Sequence, residues 1–387
     1  MRAVLLAALL LVLFVPSGTA HAVGEEEDIT VEEGVSEIME QVDVSDWDEW
    51  FFQQPEQIRE LWDGVPPSAY LDSLVWEGDK AAFETDGLLN ALTGSLYSLL
   101  PSALLLLSAY VGFAIFGGIT KGLEGSSSLF STTQTVFCAA VGCFCTAQLW
   151  TLIEECKGTL LGLSSLIEVL MPTLLALLLL FGAGGSAAVM QPASALLSGS
   201  IIGIIVKAVM PLAMIGGIVG IMDMLFGKER FAGFGKLINR LCKWAVTGCS
   251  ALYLIFTTVR GMAANASDSV LLKTGKFAAS SLPFVGRLVA DSMDTAYGCM
   301  VLVKNAVGIT GIMLGLYWVI RPLLLLAVNI LVLRLSAALC APIMDGAYPK
   351  TLSVIADMLS VLLGSIVAAM MMFIVTVGLV SGLGGGT

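Results

Sequence analysis

Eight apolar blocks fill most of the chain beyond residue 93, at 95–116, 131–152, 160–184, 195–225, 242–259, 297–320, 323–344 and 354–380. Most reach the ~20 residues that a helix needs to cross a hydrocarbon layer about 30 Å thick. A backbone in lipid must satisfy its own hydrogen bonds, which leaves helices and closed barrels. Runs of this length predict helices. The expected fold is an all-α polytopic membrane protein, a bundle of about six to nine transmembrane helices. Composition agrees, with 57% of the 387 residues hydrophobic and 13% charged, against about 45–50% and about 25% in soluble domains. An ordinary soluble enzyme, a disordered chain and a nucleic-acid binder are excluded as first readings.

The blocks do not define a signed topology. Block 195–225 is over-long and contains Lys207 and Pro211. It reads as a kinked helix or as two short re-entrant halves. If the N-terminus lies outside and every block spans, the stretch 228–243 also lies outside. Its Lys228, Arg230, Lys236, Arg240 and Lys243 instead favour the cytoplasm. In that stretch Phe231, Phe234, Leu237, Ile238 and Leu241 share one helical face, opposite the cations. Such a face suits anionic lipid, or the protein's own spans.

Upstream of the blocks the character changes. Residues 1–22 read as a signal peptide, with Arg2, an apolar stretch at 3–15 and the small-x-small site Ala20-His21-Ala22. Residues 23–80 then hold 18 acidic and two basic residues, whereas residues 81–387 hold 13 acidic and 16 basic ones. The expected organisation is an acidic helical extracytoplasmic region at 23–92, a first membrane region at 93–259, a polar loop with short helices at 260–296 and a C-terminal membrane region at 297–387. Val31, Val35, Ile38, Met39 and Val42 predict one amphipathic helix in the acidic region. Trp47, Trp50, Phe51 and Phe52 follow, and this region holds four of the seven tryptophans. These four residues are candidates for docking a partner, with a small domain's own core as the alternative.

The chemistry is bounded by what the body lacks. The only histidine is His21, inside the segment expected to be removed. A zinc metalloprotease helix, a Ser–His protease and a His proton relay are thereby excluded. The eight cysteines form no CxxC pair, and no phosphate-binding or dinucleotide motif occurs. No enzyme activity, cofactor or metal is expected. The leads are polar groups inside apolar blocks: Glu168, Lys207, Asp223, Lys304 with Asn305, and Arg334. They line a polar path or a subunit contact, or else they snorkel and pair internally. Four GxxxG pairs (Gly199 with Gly203, Gly216 with Gly220, Gly311 with Gly315, Gly378 with Gly382) predict close helix packing.

The second half also carries recognisable runs. Lys273-Thr-Gly-Lys-Phe-Ala-Ala-Ser-Ser-Leu-Pro-Phe-Val-Gly286 precedes Asp291 and Asp294, and then Gly298-Cys299-Met-Val-Leu-Val-Lys304-Asn305-Ala-Val-Gly308-Ile-Thr-Gly311. The chain resembles the stage III sporulation protein AE family of endospore-forming Firmicutes. Arg287 stands where that family often has a second glycine. The resemblance implies a non-enzymatic subunit of a secretion-like channel between mother cell and forespore. It implies the mother-cell membrane around the forespore as location. The partners implied are the other stage III A subunits with their ATPase, and the forespore Q protein. Lys304, Asn305 and the Pro283 region would be signature positions. A stand-alone transporter of a small solute is the alternative.

Overall fold

The computed structural model describes residues 44–56, 64–77, 85–122, 128–180, 184–226, 232–280, 286–343 and 347–383, with isolated positions between 34 and 62. The expected signal peptide and Pro283 lie outside these residues. Among them the chain is helical and without strands. Two short helices, α1 (Ser45–Phe52) and α2 (Pro67–Glu77), form the head. The body follows with α3 (Thr85–Gly122), α4 (Ser128–Leu180), a composite rod α5, α6 (Ala232–Ser280), α7 (Gly286–Cys340) and α8 (Ala347–Gly382). Six helices are long and apolar enough to cross a membrane. The all-α polytopic expectation holds, with six candidate spans among the described residues.

Eight blocks become six spans because two pairs fuse. Blocks 131–152 and 160–184 lie largely on the 53-residue α4, and 297–320 and 323–344 lie largely on the 55-residue α7. Each interruption is a short polar break, at Glu154-Glu155 with Lys157 and at Arg321-Pro322. The first group are good helix formers, and the one proline removes a single donor without ending α7. Each of these two helices is about 80 Å long at 1.5 Å per residue. The interval expected as a polar loop at 260–296 is helical to Ser280 and again from Gly286.

The over-long block proves continuous as well. Rod α5 runs through Gly184–Ala195, Leu196–Ile201, Ile202–Ile204, Ile205–Val209 and Met210–Phe226, of which the second and fourth segments are π-helical. Pro211 has no N–H to give the carbonyl of Lys207, which lies within the second widened segment.

Side-chain contacts set the directions. On α7 and α8 contact positions rise along one helix as they fall along the other. A Cβ on Gly308 would meet Ser381, one on Gly315 would meet Phe373, and Arg334 meets Asp357. These helices form an antiparallel hairpin. Helix α4 also runs against α7, since Trp318 Nε1 donates to the Thr159 carbonyl at 3.0 Å and Gln148 Nε2 to Asn329 Oδ1 at 3.3 Å. Rod α5 packs on α8 through Thr351 Oγ1, which donates to the Gly220 carbonyl at 3.1 Å. Helix α6 reaches α8 through Tyr253 and Thr376, whose hydroxyls lie 2.6 Å apart. Helix α3 lies on the outside of the bundle, with Leu100, Leu104, Leu105, Ile115 and Phe116 exposed. Its buried Tyr110 offers a carbonyl to the Tyr348 hydroxyl at 2.8 Å.

The head is held on the body by its indoles. Trp47 Nε1 donates to Thr173 Oγ1 at 3.1 Å and Trp50 Nε1 to Ser165 Oγ at 2.9 Å, both on α4. The Trp50 ring meets that of Trp318, and the Trp62 ring meets that of Tyr317 edge-on at 4.9 Å. Within the head, Asp48 accepts from the Ser68 N–H and hydroxyl, tying α1 to the start of α2.

Candidate functional site

Among the described residues Lys304 is the one charged side chain that is buried. It sits on α7 with 0% exposure, and its Nζ donates to the carbonyl of Leu383, just past the end of α8. The last carbonyls of a helix lack internal partners and carry its partial negative charge. A buried ammonium is a fitting counterpart there, and the two groups offset each other's desolvation. Gly308, one turn along, lets Ser381 approach: a Cβ there would come within 2.8 Å of the Ser381 Cβ. Asn305, next to Lys304, is exposed.

Arg334 lies on the outer surface of the bundle. Its Nη2 donates to Asp357 Oδ1 at 2.9 Å, with 57% and 48% of the two side chains exposed. Helix α7 ends at Cys340, only about 9 Å further along. Arg334 is midway along block 323–344 in sequence but close to the end of the helix that carries it. Asp357 was missed as its partner. The signal was available, because a hairpin folded near residue 345 sets position 334 opposite positions close to 357.

The remaining leads stay apart. Lys207 is exposed on the second π-helical segment, and Asp223 is half-buried further along the same rod. Glu168 is exposed on α4. The structure thus forms no single polar cluster from these residues. Among the described residues no group of three or more His, Cys, Asp or Glu could hold a metal ion.

The aromatic set also divides. Trp47, Trp50 and Phe51 are buried, while Phe52 is exposed. Trp47 and Trp50 therefore build the head's own seat on α4 and α7, and Phe51 is enclosed as well. Phe52 presents its ring outwards, and among the described residues of the head Trp76 is the other exposed aromatic. The basic face of α6 divides likewise. Ile238 and Cys242 are buried, and the Cys242 thiol meets the Val209 carbonyl at 3.9 Å. Phe234, Leu237, Leu241 and Trp244 face outwards beside Lys236, Arg240 and Lys243.

The glycine pairs separate by the same test. A Cβ on Gly216 would meet Met358 and one on Gly220 would meet Val354, both at under 3 Å; Gly311 faces Leu170 at 3.0 Å. Those pairs serve packing within the chain. Gly199, Gly203, Gly378 and Gly382 have no atom within 4 Å of such a Cβ.

Comparison with known proteins gives one consistent result. The family model described as Stage III sporulation protein AE matches residues 69–384. The chain is similar to the Stage III sporulation protein AE of Bacillus subtilis (strain 168), with 27% identity over 212 residues. That alignment covers 54% of this chain and 53% of the relative, so the match spans about half the length of each. No solved structure matches.

Proposed function

This chain belongs to the stage III sporulation protein AE family, and on that footing we propose that it is a non-enzymatic membrane subunit of a secretion-like channel complex linking mother cell and forespore. The observation that carries the reading is the reach of the family match, which takes in most of α2 and all six long helices. In this reading the protein resides in the mother-cell membrane around the forespore, with its acidic head outside the cytoplasm. It assembles with the other stage III A subunits, including the ATPase that supplies energy, and with the forespore Q protein. The polar leads support an architectural role. Lys304 fastens a helix end, and Arg334 pairs with Asp357.

The test has two arms in sporulating cells. Deleting the gene should abolish a late forespore reporter, and the full chain supplied in trans should restore it. Affinity purification of the tagged chain should bring down the other stage III A proteins. A normal reporter in the deletion strain, or purification without those proteins, would overturn the reading.

A further inference from the structure

The axis of the bundle is filled, while one outer face is small-sided and charged. Helix α8 is enclosed by α4, α5, α6 and α7, which it meets at Cys156, Gly220, Tyr253 and Gly315. Its Ala356, Leu362, Ile366, Met370, Phe373 and Val377 are all 0% exposed. From Ala356 to Val377 is about 32 Å, a full hydrocarbon thickness. Side chains packed to that depth close the axis to polar solutes. The outer face of α4 is of another kind. Between residues 139 and 168 its exposed positions include Cys143, Ala147, Thr151, Glu154, Gly158 and Glu168, and Trp150 and Leu161 are the only large apolar side chains exposed there. That interval rises about 44 Å, more than a hydrocarbon layer is thick. Lys157 is half-exposed beside Glu154. On α5, Gly217 against Leu149 brings the exposed Lys207 to the level of Lys157. The outer faces of α3 and α6 instead expose large aliphatic side chains, Leu100, Leu104 and Leu105 on one and Leu252, Ile255 and Val259 on the other.

We propose that the outer face of α4, with Lys207 beside it, lines a water-filled passage that runs outside the bundle, between this chain and its neighbours in the assembly. This rests on the channel reading above and says where the channel's water lies. The faces of α3 and α6 are the ones that meet lipid. Lipid is a poor neighbour for the α4 face, because carboxylates and ammonium groups within a membrane turn to a protein interior or to water. The side chains of Glu155, Glu168 and Lys207 are exposed and have no ion-pair or hydrogen-bond partner among the described residues. Water serves unpaired groups of both signs at once, whereas a docked helix would need a counter-charge for each. Single-sign rings select ions of the opposite sign. A wall that carries both signs suits small polar solutes of either charge.

The test compares positions at equal height. The Tyr110 ring on Phe144 sets Leu104 of α3 level with Thr151. Tyr253 on Thr376, Gly315 on Phe373 and Gly311 on Leu170 set Ile255 of α6 within a turn of Glu168. The two levels are about 25 Å apart, less than a hydrocarbon thickness, so a bilayer that takes in all six spans encloses at least one of them. In a Cys143→Ala/Cys249→Ala background, the full chain in membranes of sporulating cells carries Thr151→Cys, Leu104→Cys, Glu168→Cys or Ile255→Cys. A small water-soluble maleimide is supplied to both faces of the membrane. Thr151→Cys and Glu168→Cys should both label, and in at least one pair the α3 or α6 partner should stay protected until detergent is added. Protection of either α4 position, or equal labelling within both pairs, would overturn the proposal. The labelling can fail while the deletion and co-purification results stand, so the two readings fall separately.

Discussion

Lys304 caps the far end of the hairpin by donating to the Leu383 carbonyl, while Arg334 and Asp357 close the near end on its surface. The two contacts lie on the same pair of helices and differ in kind. One is enclosed, and the other is half-exposed. Their substitutions should separate accordingly.

Lys304→Met keeps much of the side chain's bulk and removes its donors. The buried carbonyl at the end of α8 loses a partner, at a cost of about 1–3 kcal/mol. Thermal unfolding of the detergent-purified protein should show a lower midpoint, and protease should trim the end of α8 sooner. An unchanged midpoint would show that the carbonyl finds another donor.

Arg334→Leu should still accumulate in membranes. Exposed ion pairs contribute about 0–1 kcal/mol in water, so the pair itself is a weak brace. In lipid, the unpaired Asp357 is the larger cost. Arg334→Leu/Asp357→Leu should therefore be more stable than Arg334→Leu alone. Immunoblots of membranes and unfolding midpoints of the three proteins check this. A double variant no more stable than Arg334→Leu contradicts it.

Trp50→Ala should loosen the head, because it removes an indole packed on Trp318 and hydrogen-bonded to Ser165. Large-to-small changes at such aromatic sites cost about 3–5 kcal/mol. Limited proteolysis should then cut within the segment that carries α1 and α2. Phe52→Ala should leave the protease pattern unchanged, since the ring is exposed. If co-purification of partners falls with Phe52→Ala, the exposed ring is their contact.

Gly162→Ala should be harmful. A Cβ there would collide with the Trp318 ring, itself pinned by its bond to Thr159. Overpacking of this kind costs about 1–3 kcal/mol. Gly199→Ala meets open space and should leave the unfolding midpoint where it is. Equal midpoints for the two variants would refute the packing argument.

The fold class was legible because apolar length is a local property of the chain. The number of spans was less so. Glu154, Glu155 and Lys157 read as a gap in hydropathy, yet these residues sustain a helix, because a polar side chain lowers hydropathy without lowering helix propensity. Arg321-Pro322 misleads for a related reason, since one missing donor does not stop a helix packed on its neighbours. The fate of Trp47 and Trp50 was not readable. Their partners Thr173 and Ser165 lie more than a hundred residues away, and nothing local distinguishes an aromatic that docks a partner from one that docks its own chain. Lys304 was found as a polar intrusion, but its cap on α8 depends on the register of a hairpin.

Order of synthesis gives the lysine cap a further meaning. Lys304 and Leu383 are separated by 79 positions. At about 5–20 residues per second, the ribosome delivers the carbonyl roughly 4–16 s after the ammonium. Throughout that interval the newly made α7 carries a cation with no helix end to receive it. Headgroups or water must hold it, which keeps that part of α7 from settling into its final enclosure. The hairpin is consequently a late event in biogenesis, and a nascent chain arrested before Leu383 would hold Lys304 in a hydrated, protease-accessible state.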